Sequence, residues 1–188
     1  MDGRKRLAQP LITAVCLLRA VNLGGRNMIR MEALRELCTG LGFQGVATFI
    51  QSGNVVFQTK PRDLVKAASR IEDEIEFRFG FRTDAMVRTA DELQSAVEAN
   101  PFEPGLDPRK LLVFFLKSAP GARAIEELLA VDSGEDRVHV RGREMHVYFP
   151  GGLARPQFSL ARAERILGTT GTGRNWSSVN RLLALAQE

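Results

Sequence analysis

Apolar and polar positions alternate along this chain with two periods, and the switches between them mark out the elements. Residues 12 to 19, ITAVCLLR, are almost continuously apolar, which predicts a central strand covered on both faces. Leu34, Leu37, Cys38 and Leu41 then recur at helical spacing, and Gly42 follows as a left-handed stop. Two strands are expected at about Val46 to Gln51 and Asn54 to Gln58, joined at Ser52-Gly53. Pro61 opens a helix with Leu64, Ala68, Ile71 and Ile75 on one face, and a strand at about Thr83 to Arg88 follows. The order β-α-β-β-α-β is that of a ferredoxin-like split unit.

A short helix at about Ala90 to Ala99 stops before Asn100-Pro101, since the residue before proline avoids helix. The stretch NPFEPGLDPRK carries three prolines within eight residues and reads as a linker, which divides the chain into 1–100 and 101–188. Beyond it, KLLVFFLK reads as a buried strand, and Ile125, Leu128 and Leu129 form a helix stripe within 121–131. RVHVRGREMHVYF reads as a hairpin turning at Gly142-Arg143, with Val138 opposite Val147, Val140 opposite Met145 and His139 opposite His146. A helix at about Ser159 to Leu167, capped by Gly168, and a last helix close the chain. The fold class expected is therefore α+β: a ferredoxin-like N-terminal subdomain, then a smaller α/β subdomain that resembles an abbreviated copy lacking the final strand.

Composition narrows the function only coarsely. The chain has 188 residues, 44% of them apolar and 26% charged, ordinary for a globular protein. Its apolar runs are strand-length, too short to cross a bilayer, and the basic opening MDGRKR lacks the apolar run of a secretory signal. A cytoplasmic location is expected, with no membrane partner. Cys16 and Cys38 fall at core positions, and two cysteines with two histidines support no structural zinc. The pI is near 9.5, yet the net charge is only +4 and the 21 arginines and 5 lysines are scattered, so nucleic acid is not the favoured partner.

Candidate chemistry concentrates in three polar stretches. RAVNLGGRN places Arg19, Asn22, Arg26 and Asn27 around Gly24-Gly25 after a strand and before a helix. In a ferredoxin-like sheet this exit lies beside the turn Ser52-Gly53-Asn54. Near the C-terminus, Gly-Arg-Asn recurs at 173–175, so Arg174, Asn175 and Trp176 form a third group. Glycine-rich backbone, guanidinium groups and a helix N-terminus suit an anion. An ordinary turn capped by asparagines would carry the same residues. The ring of Trp176 would stack on a base or simply fill the core. Ser52 is a conceivable nucleophile with no base placed beside it. The facing His139 and His146 lack a third metal ligand and read as part of an exposed sheet face with Arg137, Arg141, Glu144 and Tyr148. Glu72, Asp73, Glu74 and Glu76 read as a solvated helix face.

LLRAVNLGGRN, the M-x-x-L helix after it, GF-x-x-V-x-T-F-I-QSGNVVF and T-x-RNW-x-x-V-x-x-L together resemble domain-of-unknown-function family 1697 over nearly the whole chain. Where that family usually has Gly-Ile after the first arginine, this chain has Ala20-Val21, and Ser178 replaces a usual threonine. The resemblance implies two α/β subdomains, the first ferredoxin-like, with no activity or cofactor attached. It marks Arg19, Asn22, Gly24, Gly25, Asn27, Ser52, Gly53, Asn54, Arg174, Asn175 and Trp176 as motif members. The leading expectation is a small anionic ligand, phosphate-bearing or nucleotide-like, in a cleft between the subdomains. A nucleic-acid binder, a phosphate-ester enzyme and a purely structural interface remain alternatives.

Overall fold

A computed structural model of the chain describes residues 10–188, so the MDGRKR opening lies outside the described residues. Two four-stranded antiparallel sheets form, each flanked by helices. The first contains β1 (Ile12–Leu18), β2 (Gln44–Phe49), β3 (Asn54–Thr59) and β4 (Ala85–Thr89) in the order β2-β3-β1-β4. The second contains β5 (Leu111–Leu116), β6 (Arg137–Arg141), β7 (Glu144–Tyr148) and β8 (Gly171–Asn175) in the order β6-β7-β5-β8. The two orders are the same, so the second subdomain is a full copy. The strand thought to be missing is GTGRN, which pairs antiparallel with β5.

Why so poor a strand-former makes a strand is explained by its neighbour. A Cβ on Gly171 would overlap the Phe114 ring, and one on Gly173 would come within 3.1 Å of Leu112. The large side chains of β5 leave room only for glycine at those two places.

Helices α1 (Met31–Gly40) and α3 (Ala67–Phe79) cover one face of the first sheet. The expected single helix from Pro61 is two pieces, a short α2 (Pro61–Leu64) and α3, divided at Lys66. Gly42 does close α1. Its φ is +85°, and the Gly42 and Phe43 amides donate to the Thr39 and Cys38 carbonyls in a Schellman arrangement. Helices α5 (Ala122–Leu129) and α6 (Leu160–Leu167) cover the outer face of the second sheet.

The inner faces share a central core. Val15, Leu17, Val56 and Met86 of the first sheet and Val113 and Phe115 of the second bury against α4 (Ala90–Glu98) and α7 (Trp176–Gln187), which pack on each other. The inner strands of both sheets are thus covered on both faces, while the edge strands β2 and β6 keep exposed residues. In the linker region a 3-10 turn (Pro108–Lys110) leads into β5, and Phe102 packs beside the Tyr148 ring with the Arg137 guanidinium over both. No described helix is long and apolar enough to cross a membrane.

The β6–β7 register is as expected, with Val138 opposite Val147, Val140 opposite Met145 and His139 opposite His146. The sheet face expected to be exposed there is so on β6, at Arg137, His139 and Arg141, and is covered on β7. His146 is fully buried and Tyr148 nearly so, because α4 lies across that face and the Ala96 carbonyl accepts from His146 Nε2 at 2.9 Å. The acidic face of α3 is also less solvated than expected. Glu72 accepts from the Ala85 amide at 2.7 Å and lies 3.0 Å from Lys117 Nζ, while Glu74 and Glu76 pair with Arg78 and Arg82.

Candidate functional site

The segment after β1 folds into a small projecting hairpin. The Asn22 amide donates to the Asn27 carbonyl and the Arg26 amide to that of Leu23, both at 3.1 Å, so Gly24 and Gly25 form a two-residue turn. Their φ values of +58° and +74° are what such a turn demands. Side chains fix its base. Asn22 Nδ2 donates to the Ile29 and Gln51 carbonyls, Asn22 Oδ1 accepts from the Ile29 amide, and Asn27 Nδ2 donates to the Ala20 carbonyl.

Among the described residues, all four non-glycine residues with left-handed φ lie in this hairpin or the adjoining turn: Ala20, Asn22, Asn27 and Ile50. Ala20 adopts φ +53° in spite of its methyl group. Such conformations cost roughly 1–3 kcal/mol each and persist only where the surroundings over-determine them. Here the asparagine bonds do so.

The stretches at 52–54 and 173–175 meet at Arg174, beside the last residue of β1. Projecting from β8 and only 7% exposed, it uses every guanidinium N–H. Nε donates to Asn54 Oδ1 at 2.5 Å, Nη1 to Thr172 Oγ1 and the Gly173 carbonyl, and Nη2 to the Leu18 and Ser52 carbonyls at 2.8 and 2.9 Å. Asn54 is equally engaged, since Nδ2 donates to the Phe49 carbonyl and Ser52 Oγ. Asn175 caps α7 by accepting from the Ser178 amide, and half-buried Trp176 packs against the central core. Arg19 turns away to α6, pairing with Glu164 at 2.9 Å and donating to the Gly171 carbonyl. The open inter-subdomain cleft expected for an anion is therefore filled by the protein's own hydrogen bonds. Arg26, Gly24 and Gly25 stay exposed, with no partner for that guanidinium or those two amides among the described residues.

A second arginine, passed over in the sequence, mirrors Arg174. Arg88 is the fourth residue of β4, as Arg174 is of β8, and each is followed by the N-cap of the next helix, Thr89 or Asn175. Arg88 Nη2 donates to the Leu116 and Arg143 carbonyls, at the end of β5 and in the β6–β7 turn. Leu116 corresponds to Leu18, and Arg143 corresponds to Gly53, the neighbour of Ser52 in the β2–β3 turn. Arg88 Nε donates at 2.6 Å to Glu144, the first residue of β7, as Asn54 is the first of β3. Each subdomain thus inserts one arginine into the other around an approximate two-fold axis.

The two arginines differ in charge compensation. Burial pulls both guanidinium groups below their ordinary value, Arg174 to about 10, and both remain protonated at neutral pH. Glu144 neutralises Arg88, whereas Arg174 meets only the neutral amide of Asn54. The signal available in the sequence was an arginine inside an otherwise apolar strand, directly before a capping residue.

A hollow of about 420 Å³ adjoins Arg19, Ala20 and Asn27, and is lined further by Arg82, Thr83 and the four carboxylates of Glu72, Asp73, Glu76 and Asp84. Its carboxylates make it unsuited to an anion. Ser52 has no histidine near it, since both histidines stand on the β6–β7 hairpin. The described residues contain no group of three or more side chains suited to a metal ion.

Comparison with known proteins agrees with this architecture. The conserved bacterial protein SP0830 from Streptococcus pneumoniae superposes with a TM-score of 0.76 at 17% identity, covering 94% of this chain and 99% of its own, which establishes likeness of fold. No curated protein matches the sequence. Residues 11–146 match the family described as a protein of unknown function (DUF1697), and the chain belongs to that family.

Proposed function

We propose that this protein binds an anion-bearing ligand at the loop edge formed by residues 20–27 and 50–53, outside the closed subdomain interface. The observation that carries this reading is the cation left over at Arg174. Its counterpart Arg88 is neutralised by Glu144, while Arg174 lies uncompensated directly behind the Ser52 carbonyl, under the edge that Asn22 ties to Gln51. The hairpin that holds Asn22 also carries the exposed Arg26 and the amides of Gly24 and Gly25, unpartnered among the described residues. A fixed field and preorganised donors are what anion recognition requires.

The remaining motif members have a different task. Arg174, Asn54, Ser52 and Asn175 hold the interface and the turn, which is the structural alternative applied to part of the motif. A nucleic-acid reading is less well supported, because the strand faces that bind single strands in open sheets are here covered by helices.

Amide NMR of the full chain during titration with inorganic phosphate and with ATP tests the proposal. Saturable shifts are expected at Gly24, Gly25 and Gly53. Arg26→Ala should weaken them about tenfold, the loss of one charge-assisted hydrogen bond. Shifts confined to the acidic hollow, an unchanged response in Arg26→Ala, or no saturable shift with either probe would refute it.

A further inference from the structure

The approximate two-fold makes each half a control for the other, and the loop edge of the first half exceeds what the fold needs. From β5 to α5 the chain crosses in residues 117–121, Lys-Ser-Ala-Pro-Gly, whereas from β1 to α1 it takes residues 19–30. The β6–β7 turn is Gly142-Arg143, whereas the β2–β3 turn runs over residues 50–53. The shorter connections close the same topology. The extra length is therefore an addition to the fold, and Asn22 ties its two parts together by donating to the Ile29 and Gln51 carbonyls.

What the addition carries is apolar and exposed. Leu23 follows Asn22, Met28 precedes Ile29 and Ile50 precedes Gln51, so three large side chains, 49–69% exposed, start from backbone gathered around one amide. The two short connections of the second half carry no large apolar residue. Ile50 is the most telling of the three. Its φ of +50° suits glycine or asparagine and strains a β-branched residue, and none of the core clusters takes in its side chain. Neither backbone nor packing asks for isoleucine, which leaves a contact outside the chain.

Charge selects the partner. Residues 19–31 and 44–59 contain no aspartate or glutamate, and the exposed Arg26 and Arg30 form no ion pair among the described residues. A second copy is disfavoured, because a two-fold contact at this edge would set those arginines against themselves. A bare anion would leave Leu23, Met28 and Ile50 uncovered. A phospholipid surface covers a projecting apolar tip without needing a shaped cavity, and it brings phosphates with it. The carboxylates of the acidic hollow adjoin Ala20 and Asn27 at the base of the hairpin, so the tip leads.

We propose that this edge docks on an anionic phospholipid bilayer, with Leu23, Met28 and Ile50 entering the interface and lipid phosphates held by Arg26 and the Gly24 and Gly25 amides. The inference rests on the anion-binding reading of the same edge and names the bearer of the anion. Apolar runs too short to span bear on crossing a bilayer, not on resting against one.

The test is co-sedimentation of the full chain with vesicles of phosphatidylcholine alone and of phosphatidylcholine with phosphatidylglycerol. Inorganic phosphate and glycerol 3-phosphate, followed by amide NMR, serve as the soluble arms. Binding to the phosphatidylglycerol vesicles should be about tenfold tighter or more than to the neutral ones, and should weaken as salt is raised. Leu23→Ser combined with Met28→Ser, at exposed positions where folding is not at stake, should weaken it by about tenfold or more. Nitroxide-bearing lipid in bicelles of the same composition should broaden the amide signals of residues 22–28 and 50–53 first. No vesicle binding, with the phosphate response of Gly24 and Gly25 intact, overturns this inference and leaves the anion reading standing; loss of both removes the two together. Equal binding to neutral vesicles, undiminished binding by the double variant, or broadening centred on the exposed Arg137 and Arg141 of β6 would also overturn it. So would polyglutamate shifting the same amides when vesicles do not bind, which would assign the edge to an acidic protein.

Discussion

Replacing Glu144 by glutamine makes the Arg88 site chemically like the Arg174 site, and the expected cost follows from that comparison. Arg88 is 1% exposed, and its Nε donates to Glu144 at 2.6 Å. Removing one partner of a buried ion pair outright typically costs about 3–5 kcal/mol, because the other charge is stranded. Glutamine, however, keeps an oxygen acceptor at the same reach, as Asn54 does for Arg174, and the three backbone carbonyls on Arg88 are untouched. What is lost is the difference between a charge-assisted and an ordinary hydrogen bond, roughly 1–2 kcal/mol. For a chain of this size that lowers the melting temperature by about 2–8 °C. Glu144→Leu removes the acceptor as well and should cost the full 3–5 kcal/mol. Urea and thermal denaturation of both variants decide the matter. If glutamine is as damaging as leucine, charge alone holds Arg88 and the comparison with Arg174 fails. If both are harmless, the reciprocal arginine arrangement is not stabilising.

Gly53→Ala should destabilise by about 2–4 kcal/mol in urea titration, since φ is +70° and the new Cβ would lie 2.8 Å from Leu18 Cβ. His146 has a depressed pKa in the folded state, so the unfolded chain binds the proton more readily; stability should fall as pH drops below about 6.5, by up to about 1.4 kcal/mol per pH unit, and His146→Val should remove that slope in melting curves. Burial opposes the charged forms of Asp84 and Lys117, yet their hydrogen bond prevails, lowering the first pKa and raising the second. The pair's contribution should therefore fade as pH falls through the Asp84 value and as it rises through the Lys117 value; Lys117→Met should flatten both limbs, by under about 1 kcal/mol because the pair is partly exposed. Burial pushes the Cys38 thiol up to about 12 and raises Cys16 well above its ordinary value, so neither should react with a disulfide reagent at pH 8 until denaturant is added.

Periodicity made the first unit and the β6–β7 register legible, because a period of two fixes which residues face each other. Strand β8 was hidden because Gly171 and Gly173 answer to Phe114 and Leu112, residues far away in sequence. Topology set residues 19–27 beside Ser52-Gly53-Asn54 and gave no position for the 173–175 stretch. It gave no account of hydrogen-bond partners, and so could not tell that Arg174 would be saturated, largely by groups of the other half, while Arg26 has no partner among the described residues. Ala20 and Ile50 adopt left-handed φ against their local preference, held by bonds that only the folded edge provides. The pairing of Arg88 with Glu144 joins residues 56 positions apart and left only an out-of-place charge as its trace.

The exchange of arginines has a consequence for how the chain holds itself together. The clasp that secures each half is lodged in the opposite one, and the peptide running through residues 100–110 supplies none of those bonds. Two polypeptides severed in that stretch and mixed should recognise each other and reassemble, whereas either alone would leave Val15, Leu17 and Phe115 facing water and come out of solution.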